Sequence, residues 1–223
     1  MCGCVSEPRN GGIPGPGRKF PVICIAGPIA AGKNQAASVL ERRGWLCVDA
    51  DRLVHDILEK LKDKIVVLHA DAARKRGISL LNADGTLNRR AVGQIVFSDP
   101  AALAAQESLV HPAVDAALHT FIDANPDKPI ALNGTVFYKT DVFKRCSAVL
   151  FVDAPKLIRF FRIKSRDCLG FRQILKRFHV QAGIFAKYKK TNADIYRVWN
   201  IGKPYALERK IDKFLAYCRY KGY

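Results

Sequence analysis

No apolar run in this 223-residue chain approaches the roughly 18 residues needed to cross a bilayer. Its beginning lacks the apolar core of a secretory signal, so the cytoplasm is the expected location and no membrane is an expected partner. The seven cysteines form no CxxC pair and stand at no zinc-like spacing from a histidine, which argues for reduced thiols that fill space. No internal repeat is present, and no low-complexity segment beyond the first 19 residues. Acidic charge is scarce, with 20 Asp and Glu against 37 Lys and Arg, and the formal net charge is +17. Most of that imbalance lies in residues 139–223, where 21 basic residues meet 6 acidic ones. Such a surplus serves nucleic acid, an anionic membrane or a polyphosphate ligand, or is a solvated surface. Aromatic residues interleaved for base stacking are missing. Phe171, Phe178, Phe185 and Tyr188 recur at near-helical spacing, which fits a packed helix better, so nucleic acid is not an expected partner.

A chain that is 49% hydrophobic at this length can bury one core, with or without an insertion. Residues 1–19 are rich in Gly and Pro without periodicity and are read as a disordered tail, leaving 20–223 as a single domain. The run FPVICIA, 20–26, is β-branched and apolar and stops at glycine, as a buried parallel strand does. A helix from about Lys33 would turn Ala36, Ala37, Val39 and Leu40 inward and end at Gly44. WLCV, 45–48, reads as a second strand that delivers Asp49 and Asp51 at its C-terminal end, where open α/β sheets bind ligands. Leu53, Val54, Ile57, Leu58 and Leu61 then recur at helical spacing, with Asp51 at the helix start. A turn is expected at 82–85, a helix entered at Asp99-Pro100, strands at 130–132 and 148–152, and a basic helical stretch over 156–190 broken near Gly170.

The stretch GPIAAGKN, 27–34, carries the chemistry. Glycines five residues apart followed by lysine, between a strand and a helix, form a loop whose N–H groups wrap phosphate oxygens while the lysine reaches the outer phosphates. The alternative is a glycine-rich turn, which does not call for Lys33. Asn34 replaces the Ser or Thr whose hydroxyl usually meets Mg²⁺; an amide oxygen is a possible substitute ligand. Pro28 removes one loop N–H, and Ala30 and Ala31 stiffen the loop. Asp51 is either a carboxylate that takes or orients the proton of an attacking hydroxyl, or a helix N-cap. Arg162 and Arg166, four apart, share one helix face where guanidinium groups can clamp phosphates.

Taken in order, these motifs make the chain resemble the dephospho-coenzyme A kinase family over about residues 22–202. GPIAAGKN stands at the family's phosphate loop, VDAD (48–51) at its Asp-Ala-Asp signature, and DGTLNRRAVGQIVFSDP (84–100) with His111-Pro112 at its coenzyme-binding insertion. VDAP with Arg162 and Arg166-Asp167 is similar to its lid, and Asn192-Ala193-Asp194, Asn200 and Gly202 to its C-terminal elements. The resemblance implies an α/β P-loop kinase fold: a parallel sheet flanked by helices, a helical substrate insertion at about 60–125, and a basic lid at about 156–190. It implies an enzyme that uses ATP and Mg²⁺ to phosphorylate the ribose 3′-hydroxyl of dephospho-coenzyme A, the last step of coenzyme A synthesis; a monomer is the separate expectation.

Within that resemblance, Lys33, Asp51 and Arg162 are the catalytic residues. Gly27, Pro28, Ala30, Ala31, Gly32, Lys33, Asn34, Gln35 and Arg166 hold the nucleotide; Arg89, Arg90 and His111 join Asp51 on the substrate side; Asn34 meets the metal. Lys139 stands where the family has Glu, a reversed charge that argues for altered activity. Two other functions are compatible with the loop: a kinase of another nucleoside or nucleotide, against which the long insertion speaks, and a weak nucleotide binder with a basic nucleic-acid surface.

Overall fold

A computed structural model describes residues 20–167 and 169–223. The proposed tail, 1–19, and Cys168 lie outside the described residues. The chain divides into two units, one of residues up to Asp49 with Ile122–Tyr223, the other Ala50–Phe121.

In the first unit, among the described residues, five strands form one parallel sheet: β1 (Val22–Ala26), β2 (Leu46–Asp49), β3 (Ile130–Asn133), β4 (Ala148–Asp153) and β5 (Asp194–Trp199). Their order is β2-β3-β1-β4-β5. The chain leaves β1 for β2 on one side and later returns to β4 and β5 on the other. The C-terminal end of β1 is therefore the switch point at which open sheets hold ligands.

The expected inward face of helix α1 (Lys33–Arg42) is observed: Ala36, Ala37, Val39 and Leu40 are buried against β1 and β4 residues Ile23, Ile25, Leu150 and Val152. Gly44 follows the helix with φ 85°, the left-handed ending that glycine permits. On the same core lies α9 (Pro204–Tyr220), through Leu207, Ile211, Phe214 and Cys218. Burial pushes the thiols of Cys47, Cys146 and Cys218 up to about 12, so these cysteines are protonated at neutral pH.

The second unit holds α2 (Ala50–Lys60), α3 (Lys62–Arg76), α4 (Arg89–Val96) and most of α5 (Pro100–Asp123). Its own small core contains Ile65, Leu80, Leu87, Val92, Ile95 and Val96. Asp84 accepts from the Thr86 N–H and hydroxyl and closes the expected turn, while Asn88 caps α4 and Asp99 caps α5.

Back in the first unit, the basic stretch is broken twice: α6 (Lys156–Asp167), α7 (Phe171–Val180) and α8 (Ile184–Lys189) are separated at Gly170 and again at Gly183. Among the described residues no helix is long and apolar enough to cross a membrane.

Candidate active site

After Ala26 the chain turns through residues 27–32 into α1. Gly27 passes so close to β4 that an added Cβ would lie 2.0 Å from the Val152 carbonyl oxygen. Pro28 works through its carbonyl, which accepts from the Ala31 N–H at 3.2 Å, so its missing donor is not called on. Ala30 has φ 58°, the one non-glycine with positive φ among the described residues, a strain of about 1–2 kcal/mol.

The surroundings hold that strain. Arg162, on α6, donates from Nη1 to the carbonyl oxygens of Ala30 (3.2 Å) and Ala31 (3.3 Å). Asn200, buried just after β5, donates from Nδ2 to the Ala31 oxygen (2.9 Å) and to Gln35 Oε1 (3.2 Å). Because C=O and N–H of a trans peptide point opposite ways, fixing the Ala31 carbonyl turns the Gly32 N–H to the other side. Gly32 must lack a side chain: with φ 105°, its Cβ would meet Asn200 Nδ2 at 2.0 Å. On the far side of the loop, the Ile29 N–H donates to Gln181 Oε1 at 2.6 Å, just past the end of α7.

A cavity of about 570 Å³ opens beside this loop, lined by Ala30, Gly32, Lys33, Asn34 and Gln35, by Phe161, Arg162, Ser165 and Arg166 of α6, and by Asn200. Its size suits a nucleotide-sized ligand. Burial, with no carboxylate to offset it, holds the Arg162 guanidinium below its usual range. Arg166 is ordered differently: Asp167 accepts from its Nε (2.7 Å) and Nη2 (3.1 Å) and also from Arg177 Nη1 (3.3 Å), which ties α6 to α7. Those hydrogen bonds, chiefly from Arg166, lower the pKa of Asp167 and raise that of Arg166.

Asn34 lies in the first turn of α1, and its Oδ1 accepts from Asn133 Nδ2 at 2.9 Å. Asn133 ends β3, is 4% exposed, and its own Oδ1 has no partner. Both residues line a smaller cavity of about 140 Å³ with Asp49 and Cys47 of β2.

The loop residues, Lys33, Asn34, Gln35, Arg162 and Arg166 are thus brought together in the first unit. Asp51 lies in the first turn of α2, Arg89 and Arg90 open α4, and His111 is on α5; all four are exposed and are described within the second unit. Lys139 is exposed at the end of a short 3₁₀ turn, Phe137–Lys139. Sequence reasoning missed the roles of Asn133, Gln181 and Asn200, each of which contacts the loop or α1 from more than 90 positions away.

The dephospho-CoA kinase family model matches residues 21–198, most of the chain and all five strands apart from the last residue of β5. The chain belongs to the dephospho-CoA kinase family. It is 37% identical over 203 residues to the dephospho-CoA kinase of Treponema pallidum, covering 89% of this chain and 96% of that one. To the Treponema denticola enzyme of the same name it is 34% identical over 194 residues, 85% and 86% of the two chains. Among solved structures, a Thermus thermophilus protein superposes with a TM-score of 0.73 at 28% identity, over 89% of this chain and 98% of that one. A Campylobacter jejuni dephospho-CoA kinase superposes with a TM-score of 0.58 at 22% identity, over 88% and 96%, which concerns the fold alone. As a member of a dephospho-CoA kinase family, the chain is a phosphotransferase that draws on ATP and acts on small molecules.

Proposed function

We propose that this protein transfers the γ-phosphoryl group of ATP to the ribose 3′-hydroxyl of dephospho-coenzyme A, giving coenzyme A and ADP, the last step of coenzyme A synthesis. The family match over residues 21–198 carries this reading, supported by a phosphate loop at the sheet's switch point. The 3′-oxygen attacks the γ-phosphorus, the bond to the β–γ bridging oxygen breaks, and the hydroxyl proton passes to Asp51. Lys33 and the loop N–H groups neutralise the β- and γ-phosphates. Arg162 holds the loop in shape and adds positive charge beside the transferred group, and Arg166 binds nucleotide. Arg89, Arg90 and His111 meet the acceptor's anionic groups. Mg²⁺ bound with ATP would supply further charge neutralisation. The oxygen-bearing side chains Asn34, Asn133 and Asp49 around one cavity fit a hard cation that keeps several waters. The protein is proposed to act as a monomer in the cytoplasm.

A nucleic-acid role is not favoured, because several of the cations are already committed. Arg162 serves loop carbonyls, Arg177 serves Asp167, and Arg197 pairs with Asp153 while stacking on Phe185 and Trp199.

Two measurements test the proposal. Proton–phosphorus NMR of the product is expected to place the new phosphate on the 3′-oxygen; a phosphate elsewhere contradicts it. Asp51→Asn, which keeps the size of an exposed side chain in the first turn of α2, is expected to lower kcat by about 10²- to 10⁴-fold with little change in melting temperature. Turnover within a few fold of the parent removes Asp51 from the chemistry.

A further inference from the structure

The pair Asn34 and Asn133 is one hydrogen bond short however it is arranged. As described, Asn133 Nδ2 donates to Asn34 Oδ1 and Asn133 Oδ1 is left buried without a partner. Turning both amides over preserves the mutual bond and leaves Asn133 Nδ2 unpaired instead. A buried polar atom without a partner costs about 1–3 kcal/mol, so a persistent orphan calls for an occupant. The Asn34 oxygen is already engaged as an acceptor; the oxygen with nothing to do belongs to Asn133. It sits at the end of β3 beside a cavity that Asp49 also lines, and Asn34 follows immediately on Lys33 of the phosphate loop.

We propose that Asn133, not Asn34, supplies the amide oxygen that meets the divalent cation of the bound nucleotide, directly or through one water, and that Asn34 is the residue that orients it. This rests on the nucleotide site proposed above. The hydrogen bond from Nδ2 to Asn34 fixes which way the Asn133 amide is turned, and a cation drawn to the unpaired oxygen selects that arrangement over the turned one. The substitution of Asn for a hydroxyl at position 34 is then explained. A Ser hydroxyl is too short to keep the hydrogen bond that a second amide gives, so the two positions work as a unit. Because both members of the pair are neutral, the site holds its cation less tightly than one in which position 133 carries a carboxylate.

The test uses the full chain, Mn²⁺ as the probe and the β,γ-methylene analogue of ATP. Free Mn²⁺ is followed by EPR in the presence of analogue, and analogue binding is measured separately in EDTA. Asn133→Asp is expected to tighten Mn²⁺ by about tenfold or more, and Asn133→Leu to weaken it by a similar factor, the range seen for groups around a metal. Asn34→Ala is expected to weaken Mn²⁺ less than Asn133→Leu does. Analogue affinity in EDTA should stay within about twofold in Asn133→Leu, which adds no charge and lies outside the residues that line the nucleotide cavity. Should the Leu variant fail to fold, Asn133→Asp carries the test, since its carboxylate keeps the shape and the bond to Asn34 once that amide turns. Unchanged Mn²⁺ affinity in Asn133→Asp, or a larger loss in Asn34→Ala than in Asn133→Leu, overturns the proposal. Failure of the parent protein to bind the analogue in EDTA would overturn the nucleotide reading itself, a result separable from the metal one.

Discussion

The guanidinium of Arg162 donates to the backbone oxygen of Asn200 at 3.2 Å, and the side chain of Asn200 in turn donates to the Ala31 oxygen that Arg162 also holds. These two residues, on α6 and just after β5, close a ring of hydrogen bonds around the back of the phosphate loop. The loop's left-handed Ala30 and side-chain-free Gly32 are conformations that this ring imposes. Helix α6 therefore shapes the loop from behind.

Arg162→Lys tests that role. Lysine brings a compact charge but no planar fork, so it cannot span three carbonyl oxygens. The kcat/KM for ATP is expected to fall by about 10²-fold, comparable to losing one fixed donor in an active site. Steady-state kinetics with ATP varied gives the answer, and near-parental values would mean that charge alone suffices.

Two glycines with positive φ separate crowding from backbone strain. Around Gly44 nothing lies within 4 Å of an added Cβ, so Gly44→Ala should cost only the left-handed conformation, about 1–2 kcal/mol. Gly27→Ala adds a collision with the Val152 carbonyl, a backbone group that cannot swing aside, and should cost about 3 kcal/mol or more. Urea melts of the two variants provide the comparison; equal losses would contradict the close approach.

Acid should loosen the link between α6 and α7. Hydrogen bonds from Arg166 depress the Asp167 pKa below its unfolded value. The resulting stability is fully present above the unfolded value of about 3.9 and disappears as pH falls through the lower folded value. Both arginines are about half exposed or more, so the link is worth no more than about 1 kcal/mol. The parent is expected to melt slightly above Asp167→Asn at neutral pH, with the difference vanishing as pH falls through the depressed folded-state value of Asp167. A difference that survives at low pH would point to packing instead of charge.

The strand, loop and helix around GPIAAGKN were legible because each is set by neighbours in sequence: an apolar β-branched run, glycines where φ is positive, and a helix with one small-residue face. The turn at 82–85 and the cap at Asp99 were legible for the same reason. Strand β5 was not, since Asp194–Trp199 lies at the sheet edge with only Val198 buried and shows no clean alternation. The second break, at Gly183 between α7 and α8, also went unread, hidden in a continuously basic stretch. Within the site, Lys33, Asn34, Arg162 and Arg166 carried local signals, whereas Gln181 and Asn200 act through hydrogen bonds spanning 152 and 169 positions. No local pattern encodes such contacts. The unpaired oxygen of Asn133 required the fold to be seen.

The most direct measurement of the central claim is ADP formation by the purified protein with Mg·ATP and, in separate reactions, dephospho-coenzyme A, AMP or adenosine as acceptor. The account predicts ADP that depends on dephospho-coenzyme A, with little from the other two. Equal or greater turnover with AMP or adenosine, or none with dephospho-coenzyme A at saturating Mg²⁺, would contradict it.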